Sequence, residues 1–352
     1  MPGNKSFFVE MREGQKPQIN IARSTVGRMW LVSLCAFMVI IQSSMTDSYS
    51  SFFVAISAVL AAVLTELLIL LKSGREKALM DGSAVASALI LTLLLPNRIS
   101  PVNAAAGAVF AIAVIKHSFG GLGSNWLNPA AGGWLFIRFS WPASFANALE
   151  GSPLSVIGET IREGGYGIDA FLAASSPLDD ALRSFLNRTI FSVLGVELPA
   201  GYMDLFTSHF PGIIADRGVF VLLLGTIIIT ASQVNRSWIP AVYLAAFGIL
   251  VRFAGGLAYG SGYWSGDVVF ALFTGGTMAA AFFLAADHAT GAKSNVGIFF
   301  ATLAAGCIAF VFRWFGNEPY GAILTVVILN AILPIFRVLE RRQLYKKQRP
   351  QS

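Results

Sequence analysis

The sequence predicts an all-α polytopic membrane protein with about ten transmembrane helices, in two inverted five-helix halves with an extracytoplasmic loop lobe. Three observations support this prediction: the composition, a series of ten apolar segments, and one long polar loop that divides them. Of the 352 residues, 55% are hydrophobic and 12% are charged, whereas a soluble domain has about 25% charged residues. With a mean hydropathy of +0.66, the chain is expected to reside in lipid, which makes membrane lipid its first partner.

Ten apolar segments account for the predicted spans, because a helix that crosses a bilayer needs ~20 apolar residues. The third and the fifth are short or interrupted by Gly and Pro, which predicts broken or tilted helices. An even number of spans places both termini on one side of the membrane. The segments lie near residues 27–45, 51–72, 82–96, 102–117, 127–147, 217–233, 237–255, 267–286, 295–315 and 320–339.

Basic residues predict which side of the membrane holds the termini. The N-terminal tail, residues 1–26, and the basic C-terminal tail, residues 341–352, hold most of the excess behind the net charge of +6. Cytoplasmic loops are richer in Lys and Arg than outer ones, so both termini are predicted to be cytoplasmic. These tail charges set orientation and do not indicate nucleic-acid binding. The N-terminal tail lacks the apolar core of a signal peptide.

A long polar loop, residues 148–213, separates the first transmembrane half, residues 27–147, from the second, residues 214–340. Such a long structureless loop is usually functional or disordered. Amphipathic patterns near 154–163 and 178–194 instead predict short helices in a small ordered lobe. Five spans precede the loop and five follow it, so the halves are inverted in topology. This architecture places a binding site at the interface between the halves.

The segment KHSFGGLGSNWLNPAA, residues 116–131, is a polar, glycine-rich interruption between two apolar segments. Irregular backbone persists in a membrane only where protein covers it or where it lines a cavity, and discontinuous helices mark binding sites.

Two carboxylates are candidates for an ion pathway. Glu66 lies within the second span, and Asp287 ends the eighth span beside His288. A carboxylate within the bilayer is costly unless it is paired, hydrated or protonated. A position near the interface for Glu66, and a turn-forming role for Asp287, are the structural alternatives.

Three arginines lie near the ends of predicted spans: Arg138, Arg252 and Arg313. Each is expected to snorkel, with its guanidinium in the interface. A clamp on a phosphate or on an anionic flavin is the functional alternative for any of them. No catalytic residue and no metal site are predicted.

The segment KHSFGGLGSNWLNPAA resembles the K-H-x-F-G-G-L-G-x-N-x-x-N-P-A signature of the NqrB/RnfD family. These are membrane subunits of sodium-pumping NADH:quinone reductase and of the Rnf electron-transport complex. The short N-terminal tail resembles RnfD more than NqrB. Three further stretches resemble the family in the same order: DGSAVASALILTLLLP at 81–96, TGG with AFFLAADHAT at 274–290, and FRWFGNEPYGAILTVVILNAILPIFR at 312–337.

The resemblance implies a membrane subunit of an Rnf-type ion-translocating electron transport complex in the bacterial inner (cytoplasmic) membrane. Such a subunit relays electrons through bound flavin and couples ferredoxin or NADH redox chemistry to Na⁺ or H⁺ translocation. It belongs to a translocase but is not catalytic alone, since the sequence has no NAD-binding glycine fingerprint and no cysteine cluster. Its implied partners are the other Rnf-type subunits (A, B, C, E and G), and quinone is a candidate partner.

The resemblance also implies FMN on the outer loop, esterified through its phosphate to the Thr of a D-x-x-[S/T]-G-A-T motif. The corresponding place reads DAFLAASSPLD, residues 169–179, where the Thr is missing. Counting from Asp169 puts the acceptor at Ser175, and counting back from Pro177 puts it at Ser176. A non-covalently bound FMN and the loss of this flavin are the alternatives.

A second flavin, riboflavin or another non-covalent flavin, lies among the spans in this family. Asparagine amides can hydrogen-bond such a ring, and glycines allow close backbone approach. Positive charge near the ring favours a reduced, anionic flavin. The residues predicted to bind it are Lys116, His117, Gly120, Gly121, Gly123, Asn125 and Asn128.

A channel or facilitated transporter without a redox role is the alternative function. Inverted halves and broken helices fit that class equally well. Bound flavin discriminates the two, because only the electron-transport interpretation requires it.

Overall fold

The computed structural model describes residues 25–45, 49–118, 120–121, 123, 125–149, 176–195, 197–207, 212–234, 236–257, 262–287, 294–316 and 318–332. In these ranges the chain is helical, and the β-type pairing consists of one bridge between Pro96 and Ile213. The predicted all-helical class is confirmed.

The helices before the long loop pack as one group. Helix α2 packs on α3 and α4, α1 packs on α3, and α4 packs on α5. Glu76–Asp81 forms a tight 3₁₀ segment before α3, and Ala111–His117 continues α4 in wider π-type turns. The helices are α1 (Thr25–Ser44), α2 (Ser50–Ser73), α3 (Ser83–Leu93), α4 (Pro101–Phe110), α5 (Pro129–Ser140) and α6 (Pro142–Leu149).

The remaining helices belong to the loop and to the second group. Asn187–Phe191 and Ser192–Leu194 continue α7, a helix of the long loop, and Ala280–Ala285 continues α13. Helix α11 packs extensively on α14. These helices are α7 (Pro177–Leu186), α8 (Tyr202–Phe206), α9 (Ile214–Arg217), α10 (Val219–Ala231), α11 (Trp238–Ala254), α12 (Val268–Phe273), α13 (Thr277–Ala279), α14 (Asn295–Trp314) and α15 (Gly321–Ile332).

The helices have the length and the surface of a membrane protein. Within the described residues, α1, α2 and α14 are long and apolar enough to cross a bilayer, and shorter apolar helices accompany them. Large apolar side chains such as Leu34, Leu60, Ile227 and Phe300 are exposed on the outside. So extensive an apolar surface marks a membrane or protein contact rather than contact with water. The chain is a helical membrane protein.

Each of the ten predicted segments contains helix, but two of the segments are broken. The fifth is interrupted at Trp141, between α5 and α6, as Gly and Pro in the sequence predicted. The eighth is broken between α12 and α13, which the sequence did not predict. Gly275 and Gly276 have φ values of +64° and +70° there, a conformation that glycine adopts readily and that ends a helix.

Small residues let the helices approach closely in both groups. A Cβ added to Gly133 on α5 would lie 2.8 Å from the carbonyl oxygen of Gly107 on α4. A Cβ added to Gly306 on α14 would lie 2.6 Å from the carbonyl oxygen of Tyr243 on α11. Contacts of this kind are typical of helix pairs in lipid, where van der Waals packing holds helices together.

Buried carboxylates order the described part of the long loop. Asp179, with 0% exposure, accepts hydrogen bonds from the backbone N–H groups of Gly201 and Met203, each at 2.9 Å. Asp204 accepts from the backbone N–H of Ser176 at 3.0 Å. These bonds join α7 to α8.

Helix α7 and its continuation occupy the place of the helix predicted at 178–194. The helix predicted near 154–163 lies outside the described residues.

Candidate functional site

The glycine-rich segment at 116–131 borders a cavity of about 410 Å³ between α1, α3, the start of α5 and the continuation of α13. Helices from both sides of the long loop therefore contribute to its wall. Aromatic rings of Phe282 and Phe283 also line it. We call it the Lys116 cavity. The predicted site residues on its wall are Lys116, Gly123, Asn125, Asn128 and Asp287.

Lys116 lies in the π-type continuation of α4 and is buried, with 2% exposure. Its Nζ contacts Glu66 Oε1 and donates a hydrogen bond to the Ser83 hydroxyl at 2.5 Å. The backbone N–H and the hydroxyl of Ser83 donate to Asp81 Oδ1 at 2.7 and 2.5 Å. His117 Nε2 lies 3.3 Å from Glu66 Oε1. We call these five residues the Lys116 cluster.

Glu66 lies within α2 and is 2% exposed. One carboxylate oxygen, Oε1, receives Lys116 and His117. The other, Oε2, is buried and has no hydrogen-bond partner among the residues that the structure describes. Glu66 is thus a buried carboxylate that is paired through one oxygen, as a carboxylate within an apolar helix requires.

The glycines of the segment shape its backbone. Gly120, Gly121 and Gly123 have φ values of +107°, +91° and +86°, a region that residues with a Cβ rarely adopt. The buried Asn125 amide, oriented with its nitrogen toward the loop, donates to the carbonyl oxygens of Lys116 and Gly121 at 3.2 and 3.1 Å. Among the predicted flavin residues, His117, Gly120 and Gly121 do not line the cavity.

Asn128 links the two groups of helices. Its Oδ1 accepts from the backbone N–H groups of Ala130 and Ala131 at 2.9 and 3.4 Å, which caps α5. Its Nδ2 donates to Asp287 Oδ2 at 3.0 Å. Asp287, a candidate for the ion pathway, is therefore also a structural acceptor on the cavity wall. His288 lies outside the described residues.

A second buried cation, Arg313 at the end of α14, stabilises the break between α12 and α13. Its Nη1 donates to the carbonyl oxygens of Ala271 and Thr274 at 2.6 and 3.1 Å and to the Thr277 hydroxyl at 2.7 Å. Its Nη2 donates to the Thr274 hydroxyl at 3.0 Å. Its guanidinium carbon lies 5.5 Å from the ring centre of Phe247.

The prediction that Arg313 snorkels is wrong, since the side chain is 7% exposed and bonded inside the protein. The carbonyls freed at the helix break need donors, and the planar guanidinium supplies them from one position. Arg138 differs: its side chain is 28% exposed and its Nη2 lies 3.2 Å from Glu318 Oε2. We call Arg313, Thr274, Thr277, Phe247 and Trp314 the Arg313 cluster.

Asp216 is a further buried residue at the break between α12 and α13, and its role there was not predicted from the sequence. It is 4% exposed, and its carboxylate accepts from the backbone N–H of Gly276 at 2.9 Å. A Cβ on Gly275 would lie 2.5 Å from the carbonyl oxygen of Pro319. The TGG triplet at 274–276 was a sequence signal for this helix break, because paired glycines between apolar runs indicate an interrupted helix.

The comparisons with known proteins identify the family. The chain matches the NQR2, RnfD, RnfE family over residues 13–346. This chain belongs to the NQR2, RnfD, RnfE family. The resemblance seen in the sequence is confirmed.

Three relatives of this family member span most of its length, and each is the D subunit of its complex. That of the proton-translocating ferredoxin:NAD(+) oxidoreductase complex of Clostridium ljungdahlii is 29% identical over 91% of this chain and 91% of the relative. That of the ion-translocating oxidoreductase complex of Alcanivorax borkumensis is 32% identical over 79% of this chain and 80% of the relative. That of the Na(+)-translocating ferredoxin:NAD(+) oxidoreductase complex of Acetobacterium woodii is 25% identical over 82% of this chain and 80% of the relative. Membership of the family alone therefore does not fix which cation moves.

Of the two serines predicted as flavin acceptors, the structure describes Ser176 and not Ser175. Ser175 lies outside the described residues. Ser176 caps α7: its hydroxyl accepts from the backbone N–H of Asp179 at 3.1 Å and donates to Asp204 Oδ1 at 2.5 Å. An ester at either serine stays a prediction.

Proposed function

We propose that this chain is the RnfD-type membrane subunit of an ion-translocating oxidoreductase complex, and that it relays electrons through a flavin held in the Lys116 cavity. The cavity itself is the main support for the proposal. Family membership and the names of the relatives agree with it. The function would be that of a translocase subunit, which depends on neighbouring subunits to supply and remove electrons.

The residues of the cavity suit a flavin. Its volume of about 410 Å³ lies within the usual range of small-molecule sites, about 300–1,000 Å³. Phe282, Phe283 and Ile90 offer apolar and aromatic walls. Arg28 also lines the cavity, and its buried Nε has no acceptor in the part of the chain that the structure describes. The Nε–H of Arg28 is therefore available to donate a hydrogen bond to a carbonyl oxygen of the flavin ring.

When bound, a flavin supplies the redox chemistry, and the protein supplies position and charge. Asn128 is held rigidly by the start of α5 and by Asp287, so its place on the wall is fixed. Lys116 puts one ammonium beside the cavity, where it stabilises negative charge.

We also propose ten spans in two inverted halves, with both termini in the cytoplasm of a bacterium and the Lys116 cavity near that face. In support, five predicted spans lie on each side of the loop. In addition, α3 and α13 occupy matching ordinal positions among the spans. Each begins after a glycine with positive φ, Gly82 at +74° and Gly276 at +70°.

For the outer loop we propose FMN esterified to Ser175 rather than Ser176. The Ser176 hydroxyl makes two hydrogen bonds that join α7 and Asp204, and a phosphoester there would remove its donor. Mass spectrometry of the 164–188 peptide tests this. An added FMN phosphate mass that is lost in Ser175→Ala and kept in Ser176→Ala is expected. An unmodified peptide would leave the chain with non-covalent flavin only.

The cavity proposal is tested by blocking the space without removing a hydrogen bond. Ser87 on α3 lines the Lys116 cavity, whereas Val85 on the same helix lines a separate apolar groove. We expect Ser87→Phe to expel the flavin and Val85→Phe, the matched control, to retain it. The measurement is flavin absorbance and fluorescence of the purified protein, before and after denaturation.

The outcomes also separate the two classes of function. Native protein that is yellow, and loses its colour on denaturation, supports a non-covalent flavin. Protein without flavin under every mild extraction would favour the channel or facilitated transporter. Flavin retained in both variants would place it outside this cavity.

A further inference from the structure

Helix α7 has an apolar face that is largely exposed in the described part of the chain. Leu178, Leu182 and Phe185 lie on this face, with exposed fractions of 44%, 37% and 62%. Ile190 and Val193, in the continuation of the helix, are 51% and 82% exposed. We call these five residues the α7 apolar face. We propose that this face lies in the lipid surface of the membrane and anchors the long loop there.

The five side chains form one stripe because the helix widens part-way along. In an uninterrupted α-helix, with 3.6 residues per turn, Ile190 would point about 120° away from Leu178. Asn187–Phe191 instead forms wider π-type turns, in which each residue advances the helix by a smaller angle. These turns bring Ile190 and Val193 back to the side of Leu178 and Phe185. The apolar face therefore continues over a length of about 22 Å.

A second face of the same helix is anchored to the rest of the loop. Asp179 is fully buried and accepts hydrogen bonds at the start of α8. The Asn187 amide bonds the backbone of Leu198, donating to its carbonyl oxygen at 3.2 Å and accepting from its N–H at 2.8 Å. A third face carries Ser184 and Arg188, which are both exposed. A helix with separate polar and apolar exposed faces is suited to the boundary between water and lipid.

Helix α8 places α7 at the level where the spans end. The Tyr202 hydroxyl donates to Asp267 Oδ2 at 2.6 Å, and Asp267 caps α12 by accepting from the backbone N–H of Phe270. Gln42, near the end of α1, donates through Nε2 to the carbonyl oxygen of Phe206 at 2.9 Å. Because α1 is long and apolar enough to cross a bilayer, its end marks the membrane surface. Helix α7 packs on α8 and therefore lies beside that surface.

The charge of the helix favours a lipid surface with zwitterionic headgroups. Residues 177–194 contain two aspartates and two arginines, so their charges cancel. The helix thus offers no charge complementarity to an acidic or a basic partner. Burial of apolar side chains is the remaining driving force for association. The bilayer that covers the exposed apolar side chains of the spans is the apolar phase nearest to α7.

A helix held in the lipid surface also positions the segment that precedes it. Helix α7 begins at Pro177, directly after Ser176, so the anchor fixes the height of that segment above the membrane. In the proposed function this segment carries the ester at Ser175. Lipid contact of the α7 apolar face goes beyond the proposed function, however, and requires no flavin.

Spin labels on single cysteines test lipid contact in the full chain, reconstituted in phosphatidylcholine vesicles. Cys35→Ala and Cys307→Ala first remove the native thiols. Phe185→Cys then places a label on the α7 apolar face, and Ser184→Cys, at the adjacent residue, is the matched control on the polar face. The measurement is the relaxation of each label by oxygen, which concentrates in lipid, and by a water-soluble nickel chelate.

We expect oxygen to relax the label of Phe185→Cys several-fold more than the nickel chelate does, and the reverse for Ser184→Cys. The contrast should persist at high salt, because screening weakens contacts between charges and not apolar burial. The same measurement on the purified complex in vesicles should give the same contrast.

Val193→Cys and Ser192→Cys repeat the comparison beyond the π-type turns. Both side chains are exposed, so this pair keeps the test decisive if Phe185→Cys does not fold. We expect the label of Val193→Cys to behave like that of Phe185→Cys, since the wider turns place both residues on one face.

Two outcomes would overturn lipid contact. Nickel that reaches the labels of both faces equally would show that α7 lies in water. Labels on the apolar face that neither reagent reaches, in the protein alone or in the complex, would show that protein covers it, whether a partner subunit, a second copy or another segment of this chain. Flavin content enters none of these measurements, so lipid contact and the proposed function can fail separately.

Discussion

The Lys116 cluster and the Arg313 cluster are built on the same plan with different partners. In each, a cation near the end of a long helix reaches the first residue of a small-residue helix that begins after a glycine with positive φ. Lys116 reaches Ser83, and Arg313 reaches Thr277. The partners differ, because Lys116 is paired with the carboxylate of Glu66, whereas Arg313 bonds carbonyl oxygens and hydroxyls and packs on aromatic rings.

This difference separates a movable charge from a fixed one. An ammonium held by one carboxylate and one hydroxyl can exchange partners, since its attraction is not directional. A guanidinium that satisfies the free carbonyls of a helix break and lies near the rings of Phe247 and Trp314 cannot move without leaving them unpaired. We therefore expect the Arg313 cluster to be the more rigid of the two.

The largest expected effect comes from removing the ammonium. Lys116→Met removes the ammonium from the buried Glu66 carboxylate, and we expect it to lower the free energy of unfolding by about 3–5 kcal/mol. Thermal unfolding of the purified protein in detergent measures this.

The second substitution Glu66→Gln should restore most of that loss, because the double variant contains no lone charge. A double variant as unstable as Lys116→Met would mean that the lysine stabilises the fold through packing and not through Glu66.

Arg313→Lys tests rigidity in the other cluster. Lysine retains the charge but has three donors in place of the planar fork, so at least one of the buried acceptors loses its partner. We expect a loss of about 2 kcal/mol of stability in the same thermal unfolding measurement.

Arg252→Lys is the matched control for this change, since Arg252 lies exposed near the end of α11. Its effect should stay within about 0.5 kcal/mol. Equal losses of stability in Arg313→Lys and Arg252→Lys would contradict the role of Arg313 at the helix break.

The sequence predicted the location of the Lys116 cavity because its signal is local. Glycine and asparagine between apolar runs indicate irregular backbone wherever the helices lie. The pairing of Lys116 with Glu66, which are separated by 50 positions, depends on how α4 packs on α2. Periodicity within one segment does not contain that information, so both residues were found but their contact was not.

The role of Arg313 was missed for the same physical reason. A position near the end of a span predicts snorkelling, but the acceptors that bury this side chain lie up to 42 positions earlier, at the break of the eighth segment. That break was itself not predicted, although the TGG triplet at 274–276 was a local signal for it. The helices of the ten apolar segments were predicted, because each segment contains helix, whereas α8 lies in the long loop and was not predicted.

The glycines that precede α3 and α13 allow a finer comparison of the two clusters. Alanine at either position must adopt positive φ, which costs of order 1 kcal/mol or more. A Cβ on Gly276 would also lie 2.8 Å from Ile213 and 2.9 Å from Ile323, both fully buried, whereas a Cβ on Gly82 would meet the half-exposed ring of Trp30.

We therefore expect Gly276→Ala to be the more destabilising of the pair, at about 2 kcal/mol against about 1 kcal/mol for Gly82→Ala. Unfolding temperatures of the two variants, measured side by side, decide this. The reverse order would show that the Lys116 cluster is the more rigid one.

The smallest effect concerns the Asn128–Asp287 hydrogen bond, which is one of the bonds between the two groups of helices. Asn128→Ala removes both the cap of α5 and the bond to Asp287, and we expect a loss of about 1 kcal/mol. Asn128→Ser keeps a capping hydroxyl but is too short to reach Asp287. The difference in unfolding free energy between the two variants therefore measures the contribution of the α5 cap. The loss that remains in Asn128→Ser, relative to the native protein, measures the contribution of the bond to Asp287. If the serine variant matches the native protein, the Asn128–Asp287 hydrogen bond adds nothing to the stability.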